Sequence, residues 1–258
     1  MKKLYILSSG AGGTEYITTQ AKDALEECDV VVSYTKYAKE LKELIGDKEL
    51  YTSGMTHEID RCQQAIEYAK SGKTTCIISN GDVNVFGMAT LVVELIEERG
   101  LWDEIEVISI AGVTSFLATA SRVGAPVSQD FAIISLSDRL TDIDMIDKRV
   151  RNSLDADFII GIYNPKSKTR TQPYLNFLDA LKNSQEKIVI IASNVGREKE
   201  HITITTTTDL VEQGLEHKDV SMSTLIMVCN SNTRLTSNNK VLTPRGYLKK
   251  YELDGELK

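Results

Sequence analysis

Short apolar runs rich in β-branched residues alternate with longer amphipathic segments along the whole chain. The apolar runs are predicted to be buried strands, at residues 4–7, 30–32, 74–78, 107–110, 131–134, 158–162, 188–191 and 225–228. Between them, apolar residues recur at helical steps of three and four, as at Ile59, Cys62, Ile66 and Ala69. Strands and helices that alternate in this way are joined by βαβ crossovers. We therefore predict an α/β fold with mostly parallel sheets.

The charge balance and the hydropathy pattern limit the partners of the chain. The formal net charge of the 258 residues is −7, which opposes non-specific attraction to nucleic acids and anionic membranes. No stretch approaches the roughly 18 apolar residues of a membrane span, and the first apolar run already turns polar at Ser8. We expect no nucleic-acid or membrane partner and a cytoplasmic location.

The cysteines and histidines are too scattered to indicate a disulfide framework, a redox dithiol or a metal site. The four cysteines form no C-x-x-C pair and are predicted to be small buried apolar residues: Cys28, Cys62, Cys76 and Cys229. The three histidines are predicted to lie at the surface: His57, His201 and His217. We expect no bound metal.

One break in the pattern suggests a domain boundary. Gly124 is a typical helix stop, and Pro126 interrupts the chain before the next predicted strand. We place the join there and predict two α/β domains, residues 1–122 and residues 123–258.

Three turns of small residues directly follow predicted strands, at residues 8–13, 79–88 and 110–115. Ligands gather at the carboxyl edge of parallel sheets, and glycine lets a ligand approach the main chain. A dinucleotide-binding fingerprint would need glycine where Glu15 stands, so a nicotinamide cofactor is disfavoured. Two readings stay open for each turn, a plain strand-to-helix connection or a ligand site. Asp82 correspondingly caps the next helix or contacts a ligand.

A fourth candidate lies in the second half of the chain, at residues 135–138 and 163–170. The last five residues of the second segment include Lys166, Lys168 and Arg170 and no acid, although the chain as a whole is acidic. Such a loop suits an anionic ligand, because ammonium and guanidinium groups pair with carboxylates. The alternative is an ordinary solvated loop.

Taken in order, these segments resemble the tetrapyrrole methylases, the S-adenosylmethionine-dependent methyltransferases that modify uroporphyrinoid rings. The resemblance covers nearly the whole chain, and residues 10–13, 81–89 and 112–115 carry its general motifs. Residues 135–138, 163–167 and 243–247 resemble in particular the branch that methylates C17 of precorrin-3B or cobalt-factor III in cobalamin biosynthesis.

The resemblance implies two α/β domains with the cofactor in the cleft between them, usually in a homodimer. The reaction that it implies is methyl transfer to C17 coupled to contraction of the macrocycle; it assigns no acid or base. The implied contacts of S-adenosylmethionine are Gly10, Gly12, Asn80, Gly81, Asp82, Val85, Thr114, Ser115, Asn164 and Val195. The candidate contacts of the tetrapyrrole and its carboxylates are Ser137, Asp138, Lys166, Lys168, Arg170, Arg197 and Arg245.

The chain departs from the family pattern where proline is usual. Ala11, Val83 and Ala111 occupy the proline positions of the three cofactor motifs, and Ser8 replaces the first glycine of the opening motif. Each lost proline costs about 0.4 to 1 kcal/mol of preorganisation. The missing prolines leave open a degenerate tetrapyrrole-binding protein without catalysis. A methyltransferase for another precorrin position is the second alternative, because the general motifs do not identify the methylated carbon.

Overall fold

The chain folds into two compact units in a computed structural model that describes residues 2–258. The units are Met1–Ser115 and Phe116–Lys258. The predicted join at 122/123 lies at the end of a helix, α6 (Ser115–Val123), whereas the division falls at its start. The physical reason is that Phe116, Ala120 and Val123 of this helix pack into a core of the second unit.

The first unit is built on one parallel sheet. Its strands are β1 (Lys2–Ser8), β2 (Val30–Tyr34), β3 (Glu49–Ser53), β4 (Thr75–Ser79) and β5 (Ile105–Ile110). Its helices are α1 (Thr19–Glu27), α2 (Thr35–Glu40), α3 (Lys42–Ile45), α4 (Glu58–Lys70) and α5 (Ala89–Glu98). The strand order is β3-β2-β4-β1-β5, and every pair is parallel.

Both faces of this sheet are covered by helices, which explains why its central strands are continuously apolar. Leu4 and Ile6 of β1 point to a core that α4 and α5 complete. Tyr5 and Leu7 point to the opposite core, which contains residues of α1, α2 and α3. All four cysteines of the chain are free and buried, as predicted.

The second unit contains a mixed sheet. Its strands are β6 (Gly124–Ala125), β7 (Phe131–Ser135), β8 (Ile159–Tyr163), β9 (Ile188–Ser193), β10 (His201–Thr206), β11 (Thr224–Val228), β12 (Arg234–Leu235) and β13 (Val241–Leu242). Besides most of α6, its helices are α7 (Ile143–Asp155), α8 (Gln172–Lys182), α9 (Thr207–Gln213) and α10 (Tyr247–Lys250). The larger sheet has the order β10-β9-β11-β8-β7, and β12-β13-β6 form a small separate sheet.

The predicted α/β fold is confirmed, but the expectation of mostly parallel sheets holds only for the first unit. In the larger sheet of the second unit, β7 and β8 are parallel, whereas β11 runs antiparallel to both β8 and β9. β10 is also antiparallel to β9, because a loop without a crossover helix joins them.

Every strand predicted from an apolar run is present, and the two longer strands that the sequence did not predict lie at sheet edges. β3 and β10 contain no fully buried residue, and polar residues are interspersed with apolar ones along both. Neither therefore has the continuous apolar run that identifies a buried strand, whereas the edge strand β7 has such a run. Among the described residues, no helix has the length and apolar character that crossing a membrane requires.

Candidate active site

The three small-residue turns of the first unit meet at one edge of its sheet. β4, β1 and β5 are adjacent and parallel, so their carboxyl ends, and the turns that follow them, lie side by side. Gly10 and Gly81 exchange two main-chain hydrogen bonds, of 3.1 Å from Gly10 N to Gly81 O and 2.8 Å in return. The first two turns are therefore joined beyond the ends of their strands.

Glycine is required at several points by this close approach. A Cβ on Gly10, whose φ is +75°, would stand 2.5 Å from the main-chain oxygen of Tyr16. A Cβ on Gly112 would stand 2.5 Å from the carbonyl oxygen of Gly81. Gly81 is also buried, but a Cβ there would meet only the Cα of Thr114, at an ordinary contact distance of 3.8 Å. The loops thus pack less tightly against Gly81 than against Gly10 and Gly112.

The carboxylate of Asp82 ties the second turn to the third. Its Oδ2 accepts a hydrogen bond of 2.8 Å from the amide of Gly112, and its Oδ1 accepts one of 2.8 Å from Asn84. The helix-cap interpretation of Asp82 is wrong, because the following helix, α5, begins only at Ala89 with Met88 as its N-cap. Asp82 instead orders the loops of this edge.

The other predicted cofactor contacts of the first unit lie on the same three turns. Gly12 and Thr114 are buried, whereas Asn80, Val85 and Ser115 are half-buried. Ser115 is the first residue of α6. The structure thus gathers the members of this set that lie in the first unit around three neighbouring strand ends.

The second unit presents a corresponding edge where β7, β8 and β9 end and the antiparallel β11 begins. Asn164 follows β8 and Asn194 follows β9, both with positive φ, of 50° and 51°. Asparagine tolerates this left-handed conformation better than most residues. The Ser135 hydroxyl accepts hydrogen bonds from the side-chain amide of Asn164, at 3.1 Å, and from the main chain of Ser137, at 3.2 Å.

Arg170 holds the loops after β7 and β8 together. Its Nη1 donates to the carbonyl of Leu136 at 2.6 Å, and its Nη2 donates to the carbonyl of Asn164 at 2.7 Å. Its Nε also lies 3.9 Å from Asp138 Oδ1, a weaker contact. Burial lowers the pKa of the guanidinium, and the neighbouring Asp138 acts in the opposite direction. Arg170 therefore has a clear structural role at this edge.

Lys166 is likewise bound to main chain. Its Nζ donates to the carbonyl of Leu215 and, at 3.4 Å, to that of His217, and it lies 5.6 Å from the centre of the Tyr174 ring. Burial lowers the pKa of its amine, against the attraction of Glu216. This cation braces its loop against the segment that precedes β11.

The remaining predicted substrate contacts are dispersed over the second unit. Ser137 is half-buried and Asp138 is exposed, both directly after β7. Val195, a predicted cofactor contact, is buried after β9, and the half-buried Arg197 donates its main-chain N–H to Asn194. Lys168 is exposed in the loop after β8. The exposed Arg245 follows β13, so it belongs to the small sheet rather than to the five-stranded one.

The expectation of three surface histidines is wrong for one of them. His57 and His201 are exposed, but His217 is buried, where its Nδ1 accepts a hydrogen bond of 3.3 Å from the main chain of Asp219. Burial lowers the pKa of this imidazole. Nowhere in residues 2–258 does a group of three or more histidine, cysteine or acidic side chains assemble into a possible metal site.

Sequence reasoning underrated two serines of these edges. The sequence indicates Ser8 as the start of a small-residue turn and as a replaced glycine but gives it no role, whereas its fully buried hydroxyl bonds to two other turns. Ser135 was one letter of a motif, yet its oxygen joins two loops. A polar residue at the end of an apolar strand is the available sequence signal, but its partners are far away in the chain.

The fold and these edges define an α/β protein with glycine-rich loops that suit a small-molecule ligand, and comparison with known proteins gives the family. The family model of the Tetrapyrrole (Corrin/Porphyrin) Methylases matches residues 3–211. This chain belongs to that family.

Its relatives include two proteins with closely related names. A probable cobalt-factor III C(17)-methyltransferase of Methanocaldococcus jannaschii is 38% identical over 256 residues, which cover 97% of this chain and 100% of the relative. A precorrin-3B C(17)-methyltransferase of Sinorhizobium sp is 32% identical over 251 residues, which cover 95% and 96% of the two chains. The crystal structure of the methyltransferase CobJ matches 95% of this chain and 100% of its own, with 28% identity and a TM-score of 0.85.

Proposed function

We propose that this protein transfers the methyl group of S-adenosylmethionine to C17 of precorrin-3B or cobalt-factor III, with contraction of the macrocycle, in cobalamin biosynthesis. The observation that carries the proposal is the 38% identity to the probable cobalt-factor III enzyme over the full length of that relative. The resemblance of the segments at residues 135–138 and 163–167 to the same branch supports it, since the structure gives both segments neighbouring positions on β7 and β8.

The loops of the first unit fit the proposed cofactor. The three turns consist of small residues, and beside the buried Gly81 only the Thr114 Cα lies within 4 Å of the place that a Cβ would take, so the main chain there is not tightly covered by side chains. Asp82 and the Gly10–Gly81 hydrogen bonds hold that main chain in place before any ligand arrives. In the proposal, Gly10, Gly12, Asn80, Gly81, Asp82, Val85, Thr114 and Ser115 bind the cofactor together with Asn164 and Val195.

The second unit supplies the proposed contacts for the carboxylates of the macrocycle. Lys168 and Arg245 are exposed, so we propose them as the main contacts of the substrate carboxylates, and the half-buried Arg197 as a further one. Lys166 and Arg170 already donate to main-chain carbonyls, so they contribute charge while they hold their loops. Ser137 and Asp138 are proposed as further substrate contacts at the end of β7.

Methyl transfer requires chiefly that these residues align the methyl donor with the accepting carbon. S-adenosylmethionine supplies an electrophilic methyl group on sulfur. The loops of this chain have to hold the donor and the accepting carbon in line, and fixed geometry alone lowers such a barrier substantially. Asp82 in the first unit and Arg170 in the second each order the loops of their own unit by hydrogen bonds. The proposal assigns no acid or base to the ring contraction.

The test is an anaerobic incubation of the protein with S-adenosylmethionine and cobalt-factor III, followed by mass spectrometry and NMR of the product. We expect one added methyl group at C17 of a ring-contracted product. Methylation of a different carbon would support the alternative substrate position. Binding of the macrocycle without any methyl transfer would overturn the enzymatic proposal in favour of a degenerate binding protein.

We also propose that the enzyme acts in the cytoplasm as a homodimer, as the resemblance to the family implies. The negative net charge of the chain is consistent with the first part. Light scattering after size-exclusion chromatography tests the second part. A mass of twice 28.6 kDa is expected, and a mass of one chain at micromolar concentration would contradict it.

A further inference from the structure

The buried hydroxyl of Ser8 connects all three small-residue turns at the carboxyl edge of the sheet in the first unit. Ser8 ends β1, and its side chain has no exposed surface. Its Oγ donates a hydrogen bond of 2.6 Å to the carbonyl of Ile110 at the end of β5. The same oxygen accepts a hydrogen bond of 3.0 Å from the amide of Val83, in the turn after β4.

The Ser8 side chain packs closely against Gly112, where only glycine leaves room for it. A Cβ on Gly112 would stand 2.4 Å from the Cβ of Ser8 and 3.2 Å from its Oγ. The serine side chain therefore lies against the bare main chain of the third turn. The neighbouring hydrogen bond from the Gly112 amide to Asp82 joins the second and third turns a second time.

The partner of the hydroxyl exists only because residue 83 is not proline. Proline has no N–H, so the hydrogen bond from Val83 to Ser8 requires another residue at position 83. Val83 is fully buried, and an unpaired buried amide would be costly. Ser8 and Val83 are thus chemically matched, one as acceptor and the other as donor.

We propose that Ser8 is a positioning residue that fixes the three turns of the cofactor edge, in place of the rigidity that proline would give to the second turn. The proposed consequence for cofactor affinity rests on the function proposed above. The ordering of the turns does not, because it follows from the bonds of Ser8 to Ile110 and Val83.

The first test uses hydrogen exchange of the protein without ligand. In Ser8→Ala, we expect amide exchange in the peptides that contain Val83 and Gly112 to become at least tenfold faster than in the wild type. Ser33→Ala is the matched control, because Ser33 is equally buried at the neighbouring β2 but bonds only to the carbonyl of the next residue, Tyr34. Equal exchange in those peptides in the two variants would overturn the proposal.

The second test measures affinity for S-adenosylhomocysteine by calorimetry. Ser8→Ala is expected to weaken binding about tenfold more than Ser33→Ala, and an equal loss in both would contradict the role in positioning. If the wild type itself binds none of this ligand, the proposed cofactor fails while the exchange experiment still decides the role of Ser8.

The third test is rescue by a matched pair of substitutions. Ser8→Gly removes the hydroxyl, and Val83→Pro removes the amide that needs it while restricting the backbone. In each single variant, amide exchange in the peptides of these turns should be faster than in the wild type, or S-adenosylhomocysteine should bind more weakly. The double variant should recover at least half of the lost protection from exchange and half of the lost affinity. Strictly additive effects would overturn the proposal. If Ser8→Ala does not fold, the double variant and Ser33→Ala still provide the comparison.

Discussion

The two strand-end edges of this protein are held together by different chemistry. In the first unit, short turns approach one another closely enough for main-chain groups, one serine hydroxyl and one carboxylate to join them. In the second unit, the long side chains of Arg170 and Lys166 bridge loops by donating to their carbonyls. Close approach depends on glycine, whereas the longer bridges depend on charge.

This difference changes the meaning of a cation-rich loop. The loop after β8 contains three cations in five residues, a pattern that predicts an anion site. The structure divides these cations into two kinds, because Arg170 and Lys166 bind main chain and Lys168 is exposed. A cluster of cations can therefore serve both ligand binding and internal bracing, and burial separates the two roles.

The largest expected loss of stability at the strand-end edge of the second unit is that caused by Arg170→Ala. Two main-chain carbonyls would lose charge-assisted hydrogen bonds, so we expect the free energy of unfolding to fall by about 3 to 5 kcal/mol. Urea denaturation followed by circular dichroism measures the change. Arg245→Ala, at an exposed position, is the matched control, and a difference of under 1 kcal/mol between the two variants would argue against a structural role for Arg170.

The edge of the first unit should instead be disrupted by an added side-chain atom. Gly112→Ala places a Cβ within 2.5 Å of Ser8 and Gly81, so we expect a loss of about 2 to 3 kcal/mol of unfolding free energy together with weaker binding of S-adenosylhomocysteine. Gly81→Ala meets only the Thr114 Cα, at an ordinary contact distance of 3.8 Å, and carries mainly the cost of a positive φ, about 1 to 2 kcal/mol. Thermal or urea unfolding of both variants gives the order, and the reverse order would contradict the packing argument.

A third prediction concerns the pH dependence of stability, which we expect an ion pair of the second unit to influence. In the second unit, the buried Lys187 pairs with Asp157, which also accepts hydrogen bonds from Ser231. Burial alone would raise the pKa of the Asp157 carboxyl, but the hydrogen bonds from Lys187 and Ser231 outweigh it, and the net pKa is lowered. This stabilisation is complete above the unfolded-state pKa of about 4 and is lost as the pH falls through the lower folded-state value.

Asp157→Asn tests this sign. At pH 7 we expect a loss of about 2 kcal/mol of unfolding free energy, because asparagine keeps an acceptor oxygen but removes the negative charge that pairs with the buried Lys187. Asparagine tolerates the φ of 55° at this position, so the backbone contributes little. Urea unfolding at pH 7 and near pH 3 should show the variant and the wild type converging in acid. A difference that persists unchanged at low pH would refute the assignment, and the exposed Asp155→Asn is the control.

The smallest effect on stability is expected at the exposed cations. Lys168→Ala and Arg245→Ala should each change the free energy of unfolding by less than about 0.5 kcal/mol. If these residues meet substrate carboxylates, each variant should raise the KM for the tetrapyrrole about two- to fivefold, with kcat little changed and the effect reduced by salt. Steady-state kinetics at two ionic strengths measures this, and an unchanged KM in both variants would remove them from the proposed site.

The limits of sequence prediction follow from particular elements. Buried strands such as β1 and β4 were recognisable because both sides of each are covered and the chain must be apolar throughout. The strands β3 and β10 were missed because every residue of both is exposed or half-buried, so neither has a continuous apolar run. The antiparallel direction of β11 was also missed, since an apolar run indicates a strand but not its direction.

The candidate site likewise contains features that the sequence predicts and features that it does not. The turns at residues 8–13, 79–88 and 110–115 were predictable because glycine-rich segments directly after apolar runs have a local signature. The partners of Ser8, Asp82 and Arg170 were not, because each of these side chains bonds to a residue from another loop. The helix-cap interpretation of Asp82 failed for this reason, since a local pattern could not reveal the distant amide of Gly112.

The amino-acid sequence alone therefore determined the fold class, the buried strands and the resemblance to the tetrapyrrole methylases, all of which depend on patterns of neighbouring residues. Only the tertiary structure decided the strand directions of the second unit. It also decided which polar side chains are bound internally. Hydrogen bonds and close packing join residues that are far apart in the chain, and no local pattern contains that information.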